Sequence, residues 1–390
     1  MSNVNRNFIN PVVADLPPSG IRKFFDLVSE MTDVISLGIG EPDFVTPWRM
    51  REACIYSLEK GYTMYTANLG LPDLRREISV YTSRHFGVEY DPAREILVTV
   101  GGSEAMDLAV RAVLSPGDEI IIPEPCFVSY GPCAIIAGGK VVYIPTYVED
   151  GFKVEPEKIK NAITPYTKAL FIGYPNNPTG AVMDRETLLA ISRLAAEYDL
   201  AVISDEIYSR LVYDCEHVCF AALPDMKERT ILLNGFSKAY AMTGWRLGYA
   251  LAPPEIIEAM NKIHQYTIMC APITAQKAAI EALRNGEKDC LYMVEQYDQR
   301  RRVFISGLNA IGLDCFEPRG AFYAFPSVKR TGMSSQQFAE ELLREERVAV
   351  VPGTAFGPSG EGYVRCSYAS SMENLQEALR RMENFVKKHR

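Results

Sequence analysis

Short runs of Val, Ile and Leu recur through the middle of the chain, and each stops at a small or polar residue before a segment with helical spacing. Ile96–Val100, Glu119–Ile122, Val141–Ile144, Ala169–Ile172, Ala201–Ser204 and Thr230–Leu233 are of this kind and read as strands. Between them, Ser103–Leu114 and Arg185–Tyr198 carry apolar residues at helical spacing. Short apolar strands that alternate with helices predict an α/β fold with a mostly parallel sheet covered on both faces. In such a sheet ligands bind beyond the carboxyl ends of the strands.

The flanks follow other patterns. Met1–Asp33 reads as an arm, punctuated by Asn10-Pro11 and Leu16-Pro-Pro-Ser-Gly20, with Ser19 as the cap of a helix over Ile21–Met31. The apolar run Val34–Leu37 ends in the turn-rich Gly38-Ile-Gly-Glu-Pro-Asp-Phe44, and Thr46-Pro47 opens an amphipathic segment to about Lys60. Another helix starts at Leu71-Pro72. Glu287–Asn309 has helical periodicity and carries the chain into a smaller α+β segment. There, Ala321–Phe325, Val348–Val351 and Tyr363–Ser367 predict strands, and Ser334–Arg344 and Met372–Lys388 predict helices. The expected division is an arm with part of a small domain (1–47), a large domain (48–286) and a small C-terminal domain (287–390).

Composition narrows the class. The 390 residues, 47% hydrophobic and 23% charged, describe a globular protein with room for two domains. A formal charge of −8 argues against a nucleic-acid binder, which needs a basic face. The nine cysteines are scattered with no CxxC pair, so reduced thiols in the cytoplasm are expected. None of the four histidines stands at ligand spacing with another, and no metal site is expected. The N-terminus is polar, and no apolar stretch is long enough to span a bilayer.

Candidate chemistry gathers at the strand ends. After Thr230–Leu233 come Ser237, Lys238 and Arg246. A lysine beside small residues past a buried strand can be desolvated into an amine nucleophile, and the serine and arginine suit a phosphate. Lysine with phosphate ligands is what pyridoxal 5′-phosphate needs. Asp205, at the end of Ala201–Ser204, can ion-pair with a pyridine nitrogen or simply cap a helix, and Tyr208 can donate to the ring's phenolic oxygen. Gly173-Tyr-Pro-Asn-Asn-Pro-Thr-Gly180 is a rigid turn that offers an asparagine amide. Gly101-Gly-Ser-Glu-Ala105 before a helix is either an anion site or a tight turn, and Phe127 either stacks on a ring or joins the core.

Taken in order, several motifs resemble the class I/II aminotransferases of the pyridoxal-phosphate-dependent aspartate aminotransferase superfamily, nearest its aromatic-amino-acid and broad-specificity branch. They are Gly38-Ile-Gly-Glu-Pro-Asp-Phe, Tyr65 with Gly70-Leu-Pro-Asp-Leu-Arg, Gly101-Gly-Ser-Glu-Ala, Asn177-Pro-Thr-Gly, Asp205-Glu-Ile-Tyr, Ser237-Lys with Arg246-Leu-Gly, Gly320-Ala-Phe-Tyr and Val364-Arg-Cys-Ser-Tyr. The resemblance implies a seven-stranded large-domain sheet and a homodimer with shared sites. It implies that Lys238 forms the Schiff base with the cofactor and shuttles the substrate Cα proton. Asp205 would pair with the pyridine nitrogen, and Tyr208 and Asn177 would contact the phenolic oxygen. Gly102, Ser103 and Glu104 (by backbone), Ser237 and Arg246 would hold the phosphate, with Tyr65 reaching in from a second subunit. Phe127 would stack on the ring, and Arg365, supported by Gly40, would grip the substrate α-carboxylate.

The expected reaction moves an amino group from an L-amino acid, aromatic donors favoured, to 2-oxoglutarate by a ping-pong route. The side-chain pocket is expected to draw on Ile21, Phe24, Phe25, Ile39 and Tyr65, with Arg22 and Lys23 near a distal carboxylate. Alternatives are an aspartate-type, other dicarboxylic or diaminopimelate-type aminotransferase and a β-lyase on the same site. A cofactor-binding regulator is disfavoured because the chain lacks a basic N-terminal module.

Overall fold

The computed structural model describes residues 8–18, 20 and 31–389. Ser19 and residues 21–30 lie outside them, and with them the helix expected over Ile21–Met31 and the candidates Ile21, Arg22, Lys23, Phe24 and Phe25. After β1 (Ile35–Ser36) the chain builds a central sheet from β2 (Ile96–Thr99), β3 (Glu119–Glu124), β4 (Lys140–Pro145), β5 (Thr167–Gly173), β6 (Ala201–Asp205), β7 (Thr230–Gly235) and β8 (Gly248–Leu251). Its seven strands run in the order β2-β8-β7-β6-β5-β3-β4. The pairs among β3 to β7 are parallel, and β8 runs antiparallel to both of its neighbours. The mostly parallel sheet is therefore as the pattern predicts. β8 is an addition to that reading, because its four residues follow the Arg246 loop without a separate apolar run.

Successive residues of the central strands point to opposite faces, and each face has its own core. Ile96, Val98, Leu232, Tyr249 and Leu251 pack with Leu74, Ile78, Ala275 and Ala278. Leu97, Ile231, Leu233 and Ala250 pack with Leu108, Ala109, Ile257 and Met260. Helices Pro72–Phe86 and Ile273–Asn285 thus cover one face, and Gly101–Val113 and Pro254–Thr267 the other.

The 24-residue helix Glu287–Ala310 leads to β9 (Tyr323–Ala324), β10 (Val348–Ala349), β11 (Val351–Pro352) and β12 (Val364–Ser367). β1 pairs in parallel with β10, while β12 lies between β11 and β9 in an antiparallel sheet. The run read as one strand over Val348–Val351 is two strands in two sheets. Ala321, expected to start a strand, takes φ 55° and stands outside β9. Helices Ser335–Glu346 and Met372–Lys388, capped by Ser334 and Ser371, pack through Phe338 and Phe385, whose ring centroids are 5.3 Å apart. Because β2, β3, β5, β6 and β7 share one direction, their last residues (Thr99, Glu124, Gly173, Asp205 and Gly235) come to one edge of the central sheet.

Candidate active site

Beyond that edge lies a cleft of about 350 Å³. Gly40, Gly102, Ser103, Phe127, Asn177, Asp205, Tyr208, Ser237, Lys238, Arg246 and Arg365 line it, each singled out above from the sequence. Of the described candidates, two are not in the lining. Tyr65 is 80% exposed on the surface of this chain, and the Glu104 carboxylate turns back to Val100 N–H and His264.

Lys238 follows the buried end of β7, and its Nζ donates to the Gly40 carbonyl. It lies 5.7 Å from the Tyr208 ring centroid and 5.6 Å from that of Phe322. Burial, with Arg365 and Arg246 adding like charge, lowers its pKa to about 8, against the pull of Glu41 and Asp205. Asp205 ends β6. Its Oδ2 accepts from Tyr130 O–H at 2.8 Å and its Oδ1 from Ile207 N–H at 3.1 Å. Burial pushes this carboxyl above its ordinary value, and the two hydrogen bonds oppose the shift. No helix begins at Asp205, so its side chain closes a turn and faces the cleft.

Arg365 sits on β12 with 2% exposure. Its Nη1 donates to Asn177 Oδ1 at 2.9 Å and its Nη2 to the Gly38 carbonyl at 2.5 Å, while Nε is buried without a partner among the described residues. The guanidinium lies 4.5 Å from the Tyr323 ring centroid and 4.8 Å from that of Phe356. Among the described residues no carboxylate pairs with it. A buried cation without an anion is costly, and an incoming carboxylate relieves that cost.

The other end of the cleft is built for an anion. The helix Gly101–Val113 starts there with free N–H groups, beside the hydroxyls of Ser103 and Ser237. Gly101 has φ 78°, and a Cβ on it would lie 2.6 Å from Arg246 Nη2, so the guanidinium rests directly against the turn. Lysine and carboxylate at one end, with a phosphate cradle at the other, match the donor set of pyridoxal 5′-phosphate. Lys238 and Asp205 suit its carbonyl and ring nitrogen, and Phe127, which lines the cleft, suits the ring face.

Sequence reasoning gave no role to Tyr130 or Tyr323. Tyr130 stacks on Phe171 at 4.0 Å and supports Asp205. Tyr323 shares a 2.6 Å hydrogen bond with the Tyr208 hydroxyl under Arg365. The Gly320-Ala-Phe-Tyr motif was a signal for Tyr323; Tyr130 had only its place three residues after Phe127.

The family described as aminotransferase class I and II matches residues 32–382. The chain is 56% identical to a putative aminotransferase of Bacillus subtilis over 98% of its own length and 99% of the relative's. It is 48% identical to an aspartate aminotransferase of Pyrococcus abyssi, over 95% and 96%. Among solved structures, an aromatic aminotransferase from Pyrococcus horikoshii superposes with a TM-score of 0.90 at 47% identity, covering 94% of this chain and 99% of that one. With the cleft's donor set these matches agree on one conclusion: the chain belongs to the class I and II aminotransferases, enzymes that use pyridoxal 5′-phosphate.

Proposed function

We propose that the chain transfers the amino group of an L-amino acid, preferably aromatic, to 2-oxoglutarate by a ping-pong mechanism. The observation that carries this reading is the buried Arg365, with which no carboxylate of the described residues pairs. It is one fixed anchor for the α-carboxylate that every donor and acceptor shares. The other cations among the described residues lining the cleft are Lys238 and Arg246, both engaged in this reading by the cofactor. The described lining therefore offers no second anchor to any distal carboxylate, an acidic donor's or that of 2-oxoglutarate, for which this reading relies on Arg22 or Lys23, outside the described residues; Ile39, Ile207 and Phe127 offer apolar surface to an aromatic side chain.

Pyridoxal 5′-phosphate supplies the electron sink for amino transfer when bound. Around it, Asp205 would keep the ring nitrogen protonated, and Tyr208 and Asn177 would contact the phenolic oxygen. Gly102, Ser103, Glu104 (by backbone), Ser237 and Arg246 hold the phosphate. Arg365, held by the Gly38 carbonyl and Asn177 rather than by Gly40, whose carbonyl takes Lys238, orients the substrate so that its Cα proton meets Lys238 Nζ. Burial lowers that amine's pKa to about 8, closer to neutrality, as a proton carrier requires.

The shared-site homodimer belongs to the same reading. Tyr65 is 80% exposed, as are Met64 at 68% and Tyr266 at 87%. Asn68 donates to the Met269 carbonyl, which sets the segments of Tyr65 and Tyr266 side by side. Large apolar groups clustered on one face favour burial against a second copy. We also propose the division into 1–47, 48–286 and 287–390, supported by the pairing of β1 with β10. The nine cysteines are free thiols, which favours the cytoplasm, and no described helix is long and apolar enough to cross a membrane.

A panel of amino donors tests the substrate reading. Phenylalanine or tyrosine with 2-oxoglutarate is expected to exceed alanine with pyruvate in kcat/KM. Inactive aromatic donors beside fast aspartate would establish the second reading, an aspartate-type enzyme, which the name of the 48%-identical relative favours.

A further inference from the structure

Glu104 is the acidic residue in the first turn of helix Gly101–Val113, the end whose N–H groups are free for an anion. Directed forward, its carboxylate would face a phosphate with like charge. Instead it turns back: Oε2 accepts from Val100 N–H, and Oε1 lies 2.7 Å from His264 Nδ1. His264 is in the last turn of Pro254–Thr267, the helix packed beside Gly101–Val113, and its side chain has no exposed surface. Among the described residues its Nε2 is buried without a hydrogen-bond partner, and the ring's polar contact there is Glu104. Burying a polar ring for one hydrogen bond is costly unless that bond matters. The turn is confined from other sides too. Thr99 Oγ1 donates to the Gly101 carbonyl at 2.9 Å, and a Cβ on Gly248 would lie 2.5 Å from Gly102 N.

We propose that His264 is a positioning residue for the phosphate-binding turn. With its proton on Nδ1 it holds the Glu104 carboxylate against Val100 and leaves the N–H groups of Gly102 and Ser103 to the phosphate. The proposal rests on the reading that the phosphate sits at the start of this helix. No role in the proton transfer is involved, and the consequence is confined to one end of the cofactor.

The test titrates the full-length apoenzyme with pyridoxal 5′-phosphate and with pyridoxal, which lacks the phosphate. His264→Leu is expected to weaken the phosphorylated ligand about tenfold and to leave pyridoxal unchanged. His264→Asn keeps a donor near the Nδ1 position and is expected to recover most of the loss. Glu104→Gln offers one acceptor to two donors and is expected to show the same phosphate-confined loss, which keeps the test available if His264→Leu does not fold. Equal losses for both ligands, or none for either, would overturn the proposal. A wild type that does not prefer the phosphorylated form would instead overturn the placement of the phosphate.

Discussion

Lys238, Asp205 and Arg365 are ionisable groups held out of water within one cleft, and their partners differ. Arg365 has neutral oxygens and ring faces around it; Asp205 has Tyr130 and the backbone; Lys238 has a carbonyl and two nearby cations. Raised by burial, the Asp205 carboxyl is poised to take a cation, and a protonated pyridine is the one that the proposed chemistry offers. Asp205→Ala is expected to leave the thermal transition nearly unchanged and to cut turnover a hundred- to a thousandfold, roughly the cost of losing one preorganised charge. An active Asp205→Ala enzyme would reduce this carboxylate to the closing residue of a turn.

At the scale of elements, the cofactor end depends on how closely β8, the Arg246 loop and helix Gly101–Val113 approach. Gly101→Ala puts a Cβ into both a positive φ and the Arg246 guanidinium. The backbone alone costs roughly 1–2 kcal/mol, so cofactor retention during dialysis is expected to fall about tenfold or more. Undiminished retention would mean that the turn does not bear on the phosphate. The same elements mark what was legible in the sequence. Parallel strands announce themselves as separate apolar runs, and their small or polar last residues, Gly235 and Asp205, mark the edge where a ligand binds. β8 does not announce itself, because an antiparallel strand that returns directly from a loop needs no crossover helix to set it off. Tyr130 was hidden for a similar reason: it meets Asp205 from 75 residues away, and no local spacing encodes that meeting. The run over Val348–Val351 carries two strands, because its hydropathy is uniform while its partners, β1 and β12, belong to different sheets.

The whole molecule is incomplete in one respect if Tyr65 serves a second subunit. Its side chain is exposed in this chain and is not among the residues lining the cradle that the motifs assign it to. Inactive Tyr65→Phe and Lys238→Ala proteins, mixed and allowed to exchange subunits, are then expected to recover about a quarter of the wild-type activity, since half the dimers are hybrids with one intact site each. No recovery, or full activity of Tyr65→Phe alone, would count against sharing. The central claim is that Lys238 carries the cofactor, and it has its own direct measurement. Burial lowers the pKa of the unliganded Lys238 amine to about 8, which makes it a readier nucleophile towards a carbonyl than a solvated lysine. Borohydride reduction of the cofactor-loaded protein, followed by peptide mapping, is expected to place the pyridoxyl label on the peptide containing Lys238. Label on another lysine, or none, would contradict the account.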